Sequence, residues 1–264
     1  MPPESLGAVS PSPDAVIRSR RDWLAGAALA PSLALASGIL LPRDGLGAFA
    51  AGSDSRDSLS AGQAALPADP SQLDPKACLA LLYEGNRRFV EKRPLEPHRK
   101  IERLQQVAPR QTPFAAFLGC ADSRVPIEII FDQGFGDLFV TRIAGNIASS
   151  ENIGSLEFGT LVLGCKVLYV LGHTGCGAVT AAALRNPVPG QISGLFQFIR
   201  PAVRKAKGNV EQAVIENVRN QAQTLAEASP VVADLVRTGK LIVAGGVYDL
   251  KTGVVSPVEI PLDS

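Results

Sequence analysis

Two short runs in this chain, apolar almost throughout, each end in glycine followed at once by a side chain that binds soft metals. Residues 113–118 lead into Gly119-Cys120, and residues 166–171 lead into Gly172-His173. Runs this short, without polar alternation, read as strands buried on both faces, the pattern of a parallel sheet covered by helices. Parallel neighbours cannot be joined by a tight turn, so each strand needs a crossover, and helical stretches lie between them. The chain is therefore predicted to be α/β: a mostly parallel four-stranded sheet, with strands at 113–118, 137–143, 166–171 and 241–247, right-handed crossovers and flanking helices. An antiparallel edge strand is expected at 254–260, after the turn Asp249-Leu250-Lys251-Thr252-Gly253, because Pro257 is tolerated only at a sheet edge.

The first helix is expected at 75–91, where Asp74-Pro75 fits an N-cap and first position and Leu79, Leu82, Tyr83, Phe89 and Val90 recur at helical spacing. It either covers its own sheet or reaches across to a second subunit. Further helices are expected near 98–108, at 152–163, at 178–184, near 194–206, and from Asn209 with Gln212 as its capping-box partner. In open parallel sheets, ligands gather beyond the carboxyl ends of strands. Cys120, Asp122 and Arg124 after one strand, and His173 and Cys176 after another, are thus expected at the same sheet edge.

Composition narrows the chemistry. A formal net charge of +1, with no run of Lys or Arg along a face, leaves no footprint for a phosphate backbone, so nucleic acid is not an expected partner. Four cysteines, Cys78, Cys120, Cys165 and Cys176, are too few and too scattered in 264 residues for a disulfide framework. Within residues 1–50, Ser19-Arg20-Arg21-Asp22-Trp23-Leu24 precedes an Ala-rich apolar run at 25–41 and then Ala48-Phe49-Ala50. That order resembles a bacterial twin-arginine export signal with a small-x-small cleavage site. The apolar run, interrupted by Pro31, Ser32 and Ser37, falls short of the roughly 20 residues that span a bilayer. Removal near Ala50, no stable membrane span afterwards, and a periplasmic or other extracytoplasmic location are expected. Residues 51–70, rich in Ala, Gly, Ser, Asp and Pro, read as a disordered linker, which leaves 71–264 as the folded domain.

Two thiols and an imidazole form a soft N/S ligand set of the kind that selects Zn2+, with Asp122 as a possible fourth, oxygen donor. A cysteine at a strand end is ordinarily a small buried hydrophobe. Cys120 departs from that because His173, one of two histidines, stands three residues before Cys176 on a Gly-rich turn. Cys78 and Cys165 lack such neighbours and are assigned to the core. His98, in a polar, Pro-flanked stretch, is assigned to the solvated surface, and Gly145 and Asn146 to a turn. Three readings of the cluster stay open: a zinc enzyme, a structural zinc site closed permanently by Asp122, and a redox pair in which Cys120 and Cys176 join as a disulfide.

Cys120-x-Asp122-Ser123-Arg124 followed by His173-x-x-Cys176 resembles the β-class carbonic anhydrases. The similarity runs over about residues 75–260, through Phe131-Asp132, Gly136-Asp137-Leu138-Phe139 and Arg142-x-Ala144-Gly145-Asn146. The resemblance implies zinc held by Cys120, His173 and Cys176, an orienting dyad of Asp122 and Arg124, and Asp122 as a fourth ligand in a closed state. It also implies that Gln111, nine residues before Cys120, lines a neighbouring subunit's pocket, so that the chain forms a homodimer or a higher homo-oligomer. The activity implied is reversible hydration of carbon dioxide to bicarbonate and a proton by attack of zinc-bound hydroxide. Phe114 or Phe117 and Val125 would then wall the site for a nonpolar gas. The bicarbonate-inhibited subclass resembles this chain at Gly119 but typically carries Trp three positions before the first cysteine, where this chain has Phe117.

Overall fold

The structure, a computed structural model, describes residues 69–184 and 188–262. The expected export signal at 1–50 lies outside the described residues. So does the expected linker, apart from Asp69 and Pro70, which open a 3-10 turn, Pro70–Gln72, capped by the Asp69 carboxylate.

Among the described residues the strands are β1 (Ala115–Gly119), β2 (Leu138–Arg142), β3 (Val167–His173), β4 (Ile242–Tyr248) and β5 (Val255–Val258), in the sheet order β2-β1-β3-β4-β5. β1 is parallel to β2 and β3, β3 is parallel to β4, and β5 pairs antiparallel with β4, as predicted. β1 and β3 are buried along their whole length, which is what runs without polar alternation require. Pro257 sits on the edge strand opposite Gly246. The turn before β5 is closed by Asp249, whose carboxylate accepts the backbone N–H groups of Lys251 and Thr252.

The helices are α1 (Pro75–Val90), α2 (Ile101–Val107), α3 (Ile127–Ile130), α4 (Ser150–Glu157), α5 (Gly177–Leu184), α6 (Ile192–Lys205), α7 (Val210–Ala228) and α8 (Pro230–Arg237). α1 begins at Asp74, whose carboxylate accepts from the N–H groups of Lys76 and Ala77. It lays Cys78 and Leu82 against a core containing Phe117, Phe131 and Tyr169, so it covers its own sheet. Asn86 fastens it there, donating to the carbonyls of Ile130 and Gly253 and accepting from the Val255 N–H. α7 covers the opposite face, where Leu118, Val170, Val218 and Leu225 meet. It comes close because Gly172 has no side chain: a Cβ there would lie 2.6 Å from a Val218 methyl.

Two expectations needed correction. The helix predicted over 152–163 is α-helical only in α4 and then widens into a π turn, Phe158–Val162. The Thr160 hydroxyl donates 2.8 Å to the Leu156 carbonyl, and the Leu163 N–H reaches back to Phe158, a five-residue step. His98 is not a solvated surface histidine. Its ring is 24% exposed, and Nδ1 lies 2.7 Å from the carboxylate of Asp137, itself buried at the start of β2. Burial raises the Asp137 pKa, against the Gly134 N–H and His98, which both favour its charge. No helix among the described residues is long and apolar enough to cross a membrane.

Candidate metal centre

Gly119 of β1 pairs with Leu171 of β3, so the chain leaves two adjacent parallel strands at one edge. From β1 it crosses to β2 on one side, and β3 lies on the other; this change of direction opens the crevice where open parallel sheets bind ligands. Cys120 is the first residue beyond β1, His173 is the last of β3, and Cys176 immediately precedes α5. Their ligand atoms all lie within 4.8 Å of one another, and all three residues are buried.

His173 is prepared to ligate through Nε2. Its Nδ1 lies 3.0 Å from the Thr174 carbonyl, which can only accept, so Nδ1 carries the proton and the Nε2 lone pair is free. Thr174 is fixed in turn, its N–H donating to the Tyr248 carbonyl and its hydroxyl accepting from the Leu250 N–H. Nε2 is buried without a hydrogen-bond partner. Leaving such an atom unsatisfied costs about 1–3 kcal/mol, and a bound metal ion would supply the missing partner. Burial opposes charge on His173 more strongly than any other single effect, but the Cys120 sulfur, the Thr174 carbonyl and Asp122 together raise its pKa.

The thiols are poised unequally. Cys120 is held well below the usual thiol range, first by the Cys176 thiol, which donates to it, then, with burial opposing, by His173 and the backbone N–H groups of Gly145 and Asp122. Cys176 is pushed up by that hydrogen bond to Cys120 and by burial. A buried thiolate between a thiol and an imidazole suits a divalent cation with soft preferences, whose binding would release the remaining thiol proton. All four cysteines are free, and no disulfide joins Cys120 to Cys176.

Arg124 grips Asp122 at three points. Nε donates to Oδ1 at 2.9 Å, a terminal nitrogen donates to Oδ2 at 2.8 Å, and the Arg124 backbone N–H donates to Oδ1 at 2.9 Å. The guanidinium holds the Asp122 carboxyl well below the usual carboxylate range, with burial opposing. Because the Arg124 side chain is 57% exposed, the pair adds little to stability, and its consequence is orientation. Oδ2 ends 3.8 Å from His173 Nε2, beside the Cys-His-Cys cluster and in the fork of Arg124.

Other expected residues fall elsewhere. Phe114, Phe117 and Val125 are buried in the core under α1, where Phe117 lies 5.1 Å from the Phe131 ring and 5.3 Å from that of Tyr169. Gln111 is exposed and lines a groove with Pro109, Val162 and Leu163; no hydrogen bond joins it to the cluster among the described residues. Cys78 and Cys165 are core residues, as assigned. Two contributors were missed. Arg142, at the end of β2, donates from Nε to the Cys120 carbonyl at 2.9 Å and from a terminal nitrogen to the Asp122 carbonyl at 2.6 Å, clamping the loop that carries both. Gly145, read as a turn residue, also donates its N–H to Cys120 Sγ at 3.3 Å. A charged side chain at the end of an apolar strand was the available signal for Arg142; a backbone donor leaves none.

A family model described as carbonic anhydrase matches residues 115–255. Carbonic anhydrase 2 of Mycobacterium tuberculosis is 36% identical over 188 residues, covering 68% of this chain and 91% of its own length. The carbonic anhydrase of Mycolicibacterium smegmatis is 37% identical over 188 residues, with the same coverage of each chain. Among solved structures, the Coccomyxa β-carbonic anhydrase in complex with acetazolamide is similar at TM-score 0.55 and 30% identity, covering 68% of this chain and 86% of its own.

Proposed function

The chain belongs to the β-carbonic anhydrase family, and on that premise we propose that Cys120, His173 and Cys176 hold Zn2+ at an active site where, with Asp122 and Arg124, carbon dioxide and bicarbonate are interconverted. The observation that carries the zinc assignment is the buried, unpartnered Nε2 of His173, faced by two thiols within 4.8 Å. Zinc in such a site supplies a water acidified to near neutrality, carbonic anhydrase being the standard case of that effect. Asp122 stays ionised because Arg124 holds both its oxygens. It can therefore only accept a hydrogen bond, which fixes the direction of the attacking oxygen. In a closed state the same carboxylate would leave Arg124 and complete the metal's ligands, so two partners compete for it. Stopped-flow carbon dioxide hydration by the zinc-loaded protein tests this reading. Activity proportional to bound zinc is expected; no hydration at any pH with zinc in place would make the site structural.

The same reading includes a homodimer or higher homo-oligomer in which Gln111 of one copy donates to bicarbonate oxygen in the next. Exposed Val162 in the Gln111 groove, with exposed Phe158 and Leu161 of the same π turn, supports it, as apolar surface for a second copy to cover. Mixing Gln111→Ala and Cys120→Ser subunits should restore activity in one of two sites, and no recovery despite subunit exchange would refute sharing. It also includes export directed by Arg20 and Arg21. Replacing both with Lys should leave uncleaved precursor in the cytoplasm, and unchanged processing would refute that route.

A further inference from the structure

The Cys120 sulfur is tied to the middle of α7 through a single glycine. The Gly145 N–H lies 3.3 Å from Cys120 Sγ, and the Gly145 carbonyl accepts from Asn217 Nδ2 at 2.9 Å. Asn217 is 1% exposed, and its own oxygen accepts from Gln221 Nε2 at 3.1 Å. Gln221, one turn further along α7, also donates to the Phe198 carbonyl of α6 at 3.0 Å and accepts the Ala148 N–H at 2.9 Å. Two buried amides thus hold both ends of the loop 145–148 against two helices.

Gly145 has φ +77, and a Cβ there would come 2.7 Å from an Ile199 methyl, so no other residue fits without strain or displacement. A residue with no side chain has no packing of its own to set its two torsions. Its N–H points at the sulfur on one side of Cα, and the carbonyl on the other side is what Asn217 holds. Hydrogen bonds to a ligating sulfur, and the partners that orient them, tune how a metal is held.

We propose that Asn217 is a positioning residue of the metal centre: by holding the Gly145 carbonyl it aims the Gly145 N–H at Cys120 Sγ and so sets how tightly the metal is retained. This rests on the zinc reading of the cluster. Asn217→Asp keeps the size of the side chain and its acceptor toward Gln221 but replaces the donor with an oxygen that repels the carbonyl; Asn217→Ser removes the reach altogether. Leu225→Ala, at a fully buried position of the same helix far along from the loop, is the control for lost stability alone.

The purified protein is loaded with 113Cd, and scalar coupling from the metal through the sulfur to the Gly145 amide proton is recorded. Zinc affinity is then measured by chelator competition. The wild type should show the coupling. Both Asn217 variants should weaken or lose it and hold zinc roughly ten- to a hundredfold less tightly. Leu225→Ala should lower Tm and change neither. Unchanged coupling and affinity in the Asn217 variants, or an equal loss in Leu225→Ala, overturns the assignment. A wild type that takes up neither metal overturns the zinc reading itself, a different and separately visible result.

Discussion

Strand β3 has a buried cysteine near each end, Cys165 just before it and Cys176 just after its last residue, His173, and the two ends differ in chemistry. At the leading end, burial pushes the Cys165 thiol up to about 12, and the Cys78 thiol of α1 up to about 11. At the trailing end Cys176 meets Cys120, which leaves the neighbouring strand β1; both are buried, yet Cys120 is drawn well below the usual thiol range while Cys176 is pushed up. Burial therefore does not separate a structural cysteine from a ligand; the neighbours do. Cys78 Sγ faces two acceptors, the carbonyls of Pro70 and Leu73, which favour the thiol. Cys120 faces donors, the Cys176 thiol and the Gly145 N–H among them, which favour the thiolate.

The largest effect expected from this contrast is all-or-none. His173→Ala or Cys176→Ser should lose stoichiometric zinc and carbon dioxide hydration together, since three protein ligands underlie a catalytic zinc site, while Cys78→Ala and Cys165→Ala keep both. Metal analysis beside stopped-flow assays decides it, and zinc retained in the ligand variants would break the contrast. Next comes Arg124→Lys, expected to bind zinc normally but to hydrate carbon dioxide on the order of a hundredfold more slowly, because a point charge cannot reproduce the two-armed hold on Asp122. Near-normal turnover would mean that Asp122 is oriented by something else.

A pH test sharpens the same contrast in metal-free protein. The thiolate is the nucleophile, and a thiol is protonated below its pKa. Cys120, held well below the usual thiol range by its donors, is thiolate at neutrality and loses reactivity only in acid. Cys78 and Cys165 stay protonated until pH approaches about 11 and about 12. Alkylation at pH 7 mapped by mass spectrometry should mark Cys120 first, and equally fast labelling of Cys78 would contradict the electrostatic account. The smallest effect is on stability: Cys165→Ala removes one packed sulfur and should cost about 1 kcal/mol in denaturant unfolding, with zinc content unchanged.

Much of this was legible in the sequence because it is local. The buried strands announce themselves as short apolar runs, and Cys120, Asp122, Arg124, His173 and Cys176 lie in two compact motifs at strand ends. What stayed hidden depends on contacts the chain makes only once folded. His98 meets Asp137 across 39 residues, and Asn217 meets Gly145 across 72. Asn217 bonds to a backbone carbonyl, which carries no side-chain pattern to read, and Arg142 left only its charge at the end of an apolar strand as a signal. The aromatic packing of the core was hidden for a related reason. Composition shows that Phe117 is apolar, but not that the packing of Phe131 and Tyr169 takes it into the core.

X-ray absorption at the zinc edge of the purified protein tests the central claim most directly. The account predicts a metal bound by two sulfurs and one imidazole nitrogen, with light atoms completing the set. A spectrum of four sulfurs, drawing in Cys78 and Cys165, or of none would contradict it.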